Sequence, residues 1–233
     1  MRLKWGGGRR DVPRMDWPNK ALQTQADVDT AIAEVKRLRL PIRDDPPKNW
    51  DTLAALHAVV SRTGPDAVVL DAGAEMYSRF LPWMYLYGYR RLFGINLVFD
   101  RTTRRGSIRY EPGDITKSRF ADGYFDAIAC LSVVEHGVDL NRYFAEMARV
   151  LKPGGVLVTS TDYFETPTDT RGLVAYGKPI CVFNRAQMEE AIATAARHGL
   201  VLTGPADLTT RDRVVRWAQY DLSYSFVVLT MTR

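Results

Sequence analysis

The sequence predicts an α/β domain built on an open, doubly wound, mostly parallel sheet. From residue 66 onward, short apolar runs alternate with stretches whose apolar residues recur at spacings of three and four. Gly, Pro, Asp and Asn punctuate the boundaries between them. Length agrees: 233 residues, 46% hydrophobic and 11% aromatic, furnish one large core and exclude global disorder. No apolar run approaches the roughly 18–20 residues that a membrane-spanning helix needs. No basic-then-apolar leader is legible in MRLKWGGGRRDVPRMDWPNK, so a cytoplasmic location is expected.

The elements follow in order. A helix is expected over about 25–39, where Val28, Ile32, Val35 and Leu38 share a face. Pro41, Pro46 and Pro47 then break the chain. A second amphipathic helix covers about 50–62, with Leu53, Leu56, Val59 and Val60 on one side, and Thr63-Gly64-Pro65 stops it. Strand AVVLD (67–71) leads to a helix from about Tyr77 to Tyr87, and RLFGINL (91–97) leads to an arginine-rich loop. SIRYEPGD (107–114) and FDAIACLS (125–132) read as further strands. A helix from Leu140 to Leu151 follows, and KPGG turns it into the strand VLVTS (156–160). Asn184 caps a helix that runs to His198, and strands near 200–203 and 224–231 are expected to add an antiparallel pair at a sheet edge. The chain therefore divides into a basic arm (1–24), a helical extension (25–65) and the main domain (66–233).

The net charge is +5, and Arg2, Lys4, Arg9, Arg10, Arg14 and Lys20 place most of it in the first twenty residues. A groove-lining nucleic-acid domain spreads basic charge over its folded body, so nucleic acid is not the expected partner. Cys130 and Cys181 are too few and too far apart for a zinc site, and Cys130, inside an apolar run, reads as a buried reduced thiol.

In such sheets a ligand lies beyond the carboxyl ends of the strands, near the point where strand order reverses. After the first strand stands DAGAEMYS (71–78), in which Asp71 ends the run and Gly73 permits a tight turn. A G-x-G-x-x-G dinucleotide fingerprint is absent from this sequence. The second strand ends at Asn96, a residue able to bond ribose hydroxyls. The third ends at Gly113-Asp114-Ile115, a carboxylate beside an apolar side chain, as an adenine amino group and ring require.

Taken together, VVLDAGA, YRRLFGINL, GDITKSRFADGYFDAIACLSVVEH and YFAEMARVLKPGGVLVTS resemble a class I S-adenosylmethionine-dependent methyltransferase over roughly 66–160. The resemblance implies a Rossmann-like sheet of seven strands, the last antiparallel. It also implies S-adenosylmethionine as cofactor. Asp71, Ala72 and Gly73 match the motif that holds the methionine end; Asn96 stands where the family has a ribose-binding acid. Asp114 matches the adenine-binding acid, with Ile115 against the ring. Leu131 and Ser132 match the segment beside the transferred methyl. Glu75, also placed in the cofactor loop, and Tyr77 occupy positions where the family often has glycine.

Methyl transfer from a sulfonium is an in-line displacement that needs alignment above all, and a base only where the acceptor must lose a proton. His136, after the fourth strand, is the candidate base. Segment 161–183 is long and irregular, which points to a substrate loop. Within it Tyr163 and Tyr176 are expected as apolar walls, and Asp162 as an acceptor-binding carboxylate, with Glu165 and Asp169 as further acids. Their irregular spacing gives no metal assignment. The expected activity is methylation of a small molecule, a sugar or other natural-product hydroxyl. The rivals are a non-catalytic cofactor-binding relative, serving as a regulatory or assembly subunit, and an RNA-modifying enzyme using the N-terminal arm.

Overall fold

The computed structural model describes residues 11–15, 19–175 and 177–233. Strand β1 (Lys20–Ala21) precedes α1 (Gln25–Arg37) and α2 (Lys48–Val60). Thr24 opens α1 with a capping box closed by Asp27, and Lys36 and Arg37 occupy its last turn, where cations favour the exposed carbonyl ends. Then come β2 (Val68–Ala72), α3 (Phe80–Leu86), β3 (Arg91–Asn96), β4 (Thr103–Arg105), β5 (Ile108–Pro112), β6 (Phe125–Leu131), α4 (Leu140–Val150) and β7 (Leu151–Tyr163). A short hairpin, β8 (Val174–Ala175) and β9 (Lys178–Pro179), leads to α5 (Arg185–Arg197), β10 (Val201–Leu202), β11 (Val215–Trp217) and β12 (Leu222–Thr232). Asn184 caps α5 as expected, through a capping box with Gln187.

One ten-stranded sheet runs β1-β12-β7-β6-β2-β3-β5-β4, with β10 and β11 also on β12. Strands β2, β3, β5, β6 and β7 are parallel, and β12 lies antiparallel to β7. Strand order reverses between β2 and β6, so the ligand-binding edge lies where those two strands end. The expected strands are all present; β1, β4 and β11 extend the sheet.

Alternation decides what each residue faces. Val69, Ala127, Ala129, Val156, Val158 and Val228 pack with α1, α2 and α3. Their neighbours Leu70, Ile128, Cys130, Leu157 and Val227 pack with α4 and α5. Both faces are covered, which is why the strands read as continuous apolar runs. The first two helices share the core of the main domain, and β1 pairs with β12, so residue 65 does not separate two cores.

Three local expectations need correction. Helix α3 starts at Phe80 rather than Tyr77, because Gly73 to Arg79 are spent on turns. Its Pro82 falls in the first turn, where the missing N–H costs no helical bond. The arginine-rich loop contains β4, which Gly106, at φ +62°, folds back onto β5. KPGG lies within β7 as an irregularity: Leu151 pairs with Phe125, the register shifts, and pairing resumes at Val156 with Ala127. Among the described residues no helix is long and apolar enough to cross a membrane.

Gly94 in β3 shows how tightly the ligand edge is built. A Cβ there would lie 2.8 Å from both the Ala74 Cβ and the Tyr110 Cδ1. Gly94→Ala is expected to lower the unfolding free energy by about 1–3 kcal/mol, the usual cost of overpacking, in urea denaturation.

Candidate active site

The tips of β2, β3, β5 and β6 converge at the reversal point. Gly73, at φ +94°, turns the chain out of β2, and a Cβ on it would sit 2.8 Å from the Val133 Cγ1 after β6. Both conformation and space therefore demand glycine, although the close neighbour is a side chain of the next loop. The N–H groups of Gly73 and Ala74 donate to the Ile95 carbonyl at 2.8 and 3.0 Å, tying the loop to β3. Asn96, at the β3 tip, donates its side-chain amide to the Gly73 and Ala74 carbonyls at 3.2 and 3.0 Å, and its Oδ1 accepts from the Val98 N–H.

Asp71 is buried and shares the α1–α3 face of β2 with Val69. Burial pushes its carboxyl up to about 7, opposed by the Arg43 guanidinium and reinforced by Asp51 and Glu75. The Tyr110 hydroxyl is buried nearby, and burial together with the Asp71 charge raises it to about 12. Burial also raises Glu75. Asp114, past β5, is half-buried, with Oδ1 accepting from the Thr116 N–H and hydroxyl, both at 2.7 Å. Ile115 is buried against the α4 side with Ile95 and Ala72.

Beyond β6 the structure assembles a polar cluster. Ser132, at φ +55°, receives a hydrogen bond from Lys48 Nζ, which also stands 3.8 Å over the Phe226 ring. The Ser160 hydroxyl donates to Asp51 at 2.9 Å, and the Thr161 hydroxyl to Glu135 at 2.9 Å. Glu135 and Asp162, at 1% and 4% exposure, are hydrogen-bonded to each other, and Tyr224 also bonds Asp162. Burial raises both carboxyls, and the Glu135 charge lifts Asp162 further, well above the usual range. Burial lowers His136 below the ordinary imidazole value, with Asp162 pulling the other way and Lys48 adding to the lowering. The lowered value favours the neutral imidazole, the form that can take a proton.

The sequence reading placed Asp71, Ala72, Gly73, Glu75, Asn96, Asp114, Leu131, Ser132, His136 and Asp162 on this edge, and the structure brings them to it. Tyr163 does not join them. It is fully buried on the α5 face of β7, with its hydroxyl donating to the Leu208 carbonyl at 2.7 Å. The reason is parity: β7 runs on through 161–163, so Asp162 and Tyr163 face opposite sides of the sheet. Tyr176 lies outside the described residues. Glu165 is held by Arg185 at 2.6 Å and Asp169 by Arg171 at 2.7 Å, so neither faces the cluster as a free carboxylate. The remainder of 164–182 packs Leu173, Ala175, Ile180 and Val182 onto the α1–α3 core. Lys48 and Asp51 were missed, because α2 was read only through its apolar stripe. Their signal is a cation and an acid three residues apart, on one face of a helix that is buried nearly all round.

Residues 70–159 match the family model of a methyltransferase domain. The sterol 24-C-methyltransferase erg6 of Aspergillus fumigatus is 27% identical over 129 residues, covering 53% of this chain and 34% of that one. The demethylmenaquinone methyltransferase of Beutenbergia cavernae is 32% identical over 114 residues, covering 49% of this chain and 47% of that one. The chain therefore spans a third to a half of these relatives. Geranyl diphosphate C-methyltransferase of Streptomyces coelicolor A3(2) shares the fold, with a TM-score of 0.58, 18% identity and coverage of 98% of this chain and 95% of that one.

The Asp71 value sets a stability test. The folded-state value, about 7, exceeds the unfolded 3.8. Folding therefore carries an ionisation penalty that is absent below about pH 4, grows as pH rises and levels off above pH 7. Asp71→Asn removes it. The variant is expected to be more stable than the wild type at pH 8, by on the order of 2–4 kcal/mol, with the difference shrinking toward pH 4 in urea titrations.

Proposed function

We propose, from its membership of the class I S-adenosylmethionine-dependent methyltransferases, that this chain transfers a methyl group from S-adenosylmethionine to a small-molecule acceptor. The observation that carries the reading is the convergence of the β2, β3, β5 and β6 tips around the Gly73 turn at the point of strand reversal. The donor set fits this cofactor. A buried Asp71, with Asp51 and Glu75 contributing to its raised value, gains from a cationic ligand, which relieves the burial cost of each carboxylate. S-adenosylmethionine is cationic at its sulfonium and supplies the methyl group when bound. Asp71 and the Gly73 loop would hold its methionine end, Asp114 its adenine, and Leu131 and Ser132 would flank the transferred methyl.

The acceptor is read as a molecule with a hydroxyl that must be deprotonated, a sugar or other natural-product hydroxyl. Support comes from His136, whose value burial lowers toward the neutral imidazole within the field of Asp162 and Lys48, four residues after Ser132. His136 would accept the hydroxyl proton while Asp162 and Tyr224 bond the acceptor's polar groups. The relatives whose names specify carbon methylation favour a second reading, in which the acceptor is a carbon nucleophile of a lipid-like molecule.

Two measurements test these assignments. Calorimetry with S-adenosylhomocysteine is expected to show binding by the wild type and a loss of roughly 0.5–1.5 kcal/mol in Asp114→Ala, the worth of one hydrogen bond. Unchanged affinity would remove Asp114 from the site. With an acceptor in hand, the acid limb of kcat should lie below 6.5, because burial lowers His136 from that value. His136→Ala should lower kcat by about 10²–10⁴-fold and abolish that limb while leaving S-adenosylhomocysteine affinity intact. A flat profile would remove His136 as the base, whichever atom accepts the methyl group.

A further inference from the structure

The amide of Asn96 is enclosed by oxygen. Its Nδ2 faces the carbonyls of Gly73 and Ala74 at 3.2 and 3.0 Å and the Glu75 Oε1 at 3.5 Å, while its Oδ1 accepts from the Val98 N–H. A carboxylate in this position would turn an acceptor toward three acceptors, two of them carbonyls of the loop itself. The carboxylate that faces the Asn96 amide is Glu75, on the loop Asn96 holds. Its own N–H is bonded to the Ser78 hydroxyl, which fixes the turn that carries it.

We infer that Asn96 is a positioning residue that clamps the Gly73–Glu75 loop, and that Glu75, rather than the β3 tip, supplies the carboxylate that bonds the ribose diol of the bound cofactor. This deepens the cofactor reading above and rests on it. The charge has moved across the loop: the amide goes where two carbonyls need a donor, and the acid goes where hydroxyl donors would arrive. Burial raises the Glu75 carboxyl, and diol hydroxyls would stabilise its ionised form.

The two assignments make opposite predictions for the isosteric change Asn96→Asp. If the β3 tip bonded the diol, the new carboxylate would improve binding of S-adenosylhomocysteine. If Asn96 clamps the loop, binding should weaken at least about tenfold, or roughly 1.4 kcal/mol. In the ligand-free variant, amide hydrogen exchange should then accelerate at Gly73 and Ala74, whose N–H groups bond Ile95. Glu75→Gln should keep that protection and lose the discrimination between S-adenosylhomocysteine and its 2′,3′-dideoxy analogue, a readout that loop integrity alone does not move. Unchanged exchange and equal or tighter binding in Asn96→Asp would overturn the clamp. Retained diol discrimination in Glu75→Gln would overturn the carboxylate assignment. Failure of the wild type to bind S-adenosylhomocysteine would remove the Glu75 assignment together with the cofactor reading, whereas the exchange result decides Asn96 by itself.

Discussion

Burial of the sheet on both faces is the constraint from which the site follows. A polar side chain at the end of a two-sided strand has no route to water except past the strand tips, so it must be met by a partner or by a ligand. On the α1–α3 face, strand parity sends Asp71, Ser160 and Asp162 in the same direction as Val69 and Val158. Helix α2 closes that face and brings Lys48 and Asp51 to them. The Ser160–Asp51 bond, the Lys48–Ser132 bond and the Phe226 ring beneath the ammonium are what remain once water is excluded. The same exclusion raises Asp71, Glu135 and Asp162 and lowers His136. Fold and electrostatics are here one consequence of one packing decision.

Much of this was legible in the sequence for a physical reason. Strands buried on both faces are continuous apolar runs, and their carboxyl ends are marked by the first polar residues after the run. Asp71, Asn96, Asp114 and Ser132 could therefore be placed by position alone. What a residue does on arrival was less legible. Asn96 was read as a ligand contact because it stands at a strand tip; its amide turned inward because two loop carbonyls lay within reach, a fact of three-dimensional closure. Tyr163 was misplaced although parity from Val156 would have assigned it to the α5 face. The expectation of a loop from residue 161 concealed that the strand continued. Lys48 and Asp51 were invisible for a third reason: an amphipathic reading assigns polar residues to water, and α2 has almost no face in water.

Glu135 and Asp162 set the field in which His136 sits. Two carboxyls hydrogen-bonded to each other in the interior repel when both are ionised, and burial and that repulsion raise them together. The Glu135 charge lifts Asp162 further, while the Lys48 ammonium draws both carboxyls down. Burial is the largest influence on His136; the Asp162 charge opposes it and the Lys48 ammonium adds to it. Removing Lys48 would weaken the stabilisation of the Glu135 anion and one of the forces that deprotonates His136. The residue that sequence reasoning overlooked is therefore the one through which the acid pair and the candidate base are coupled.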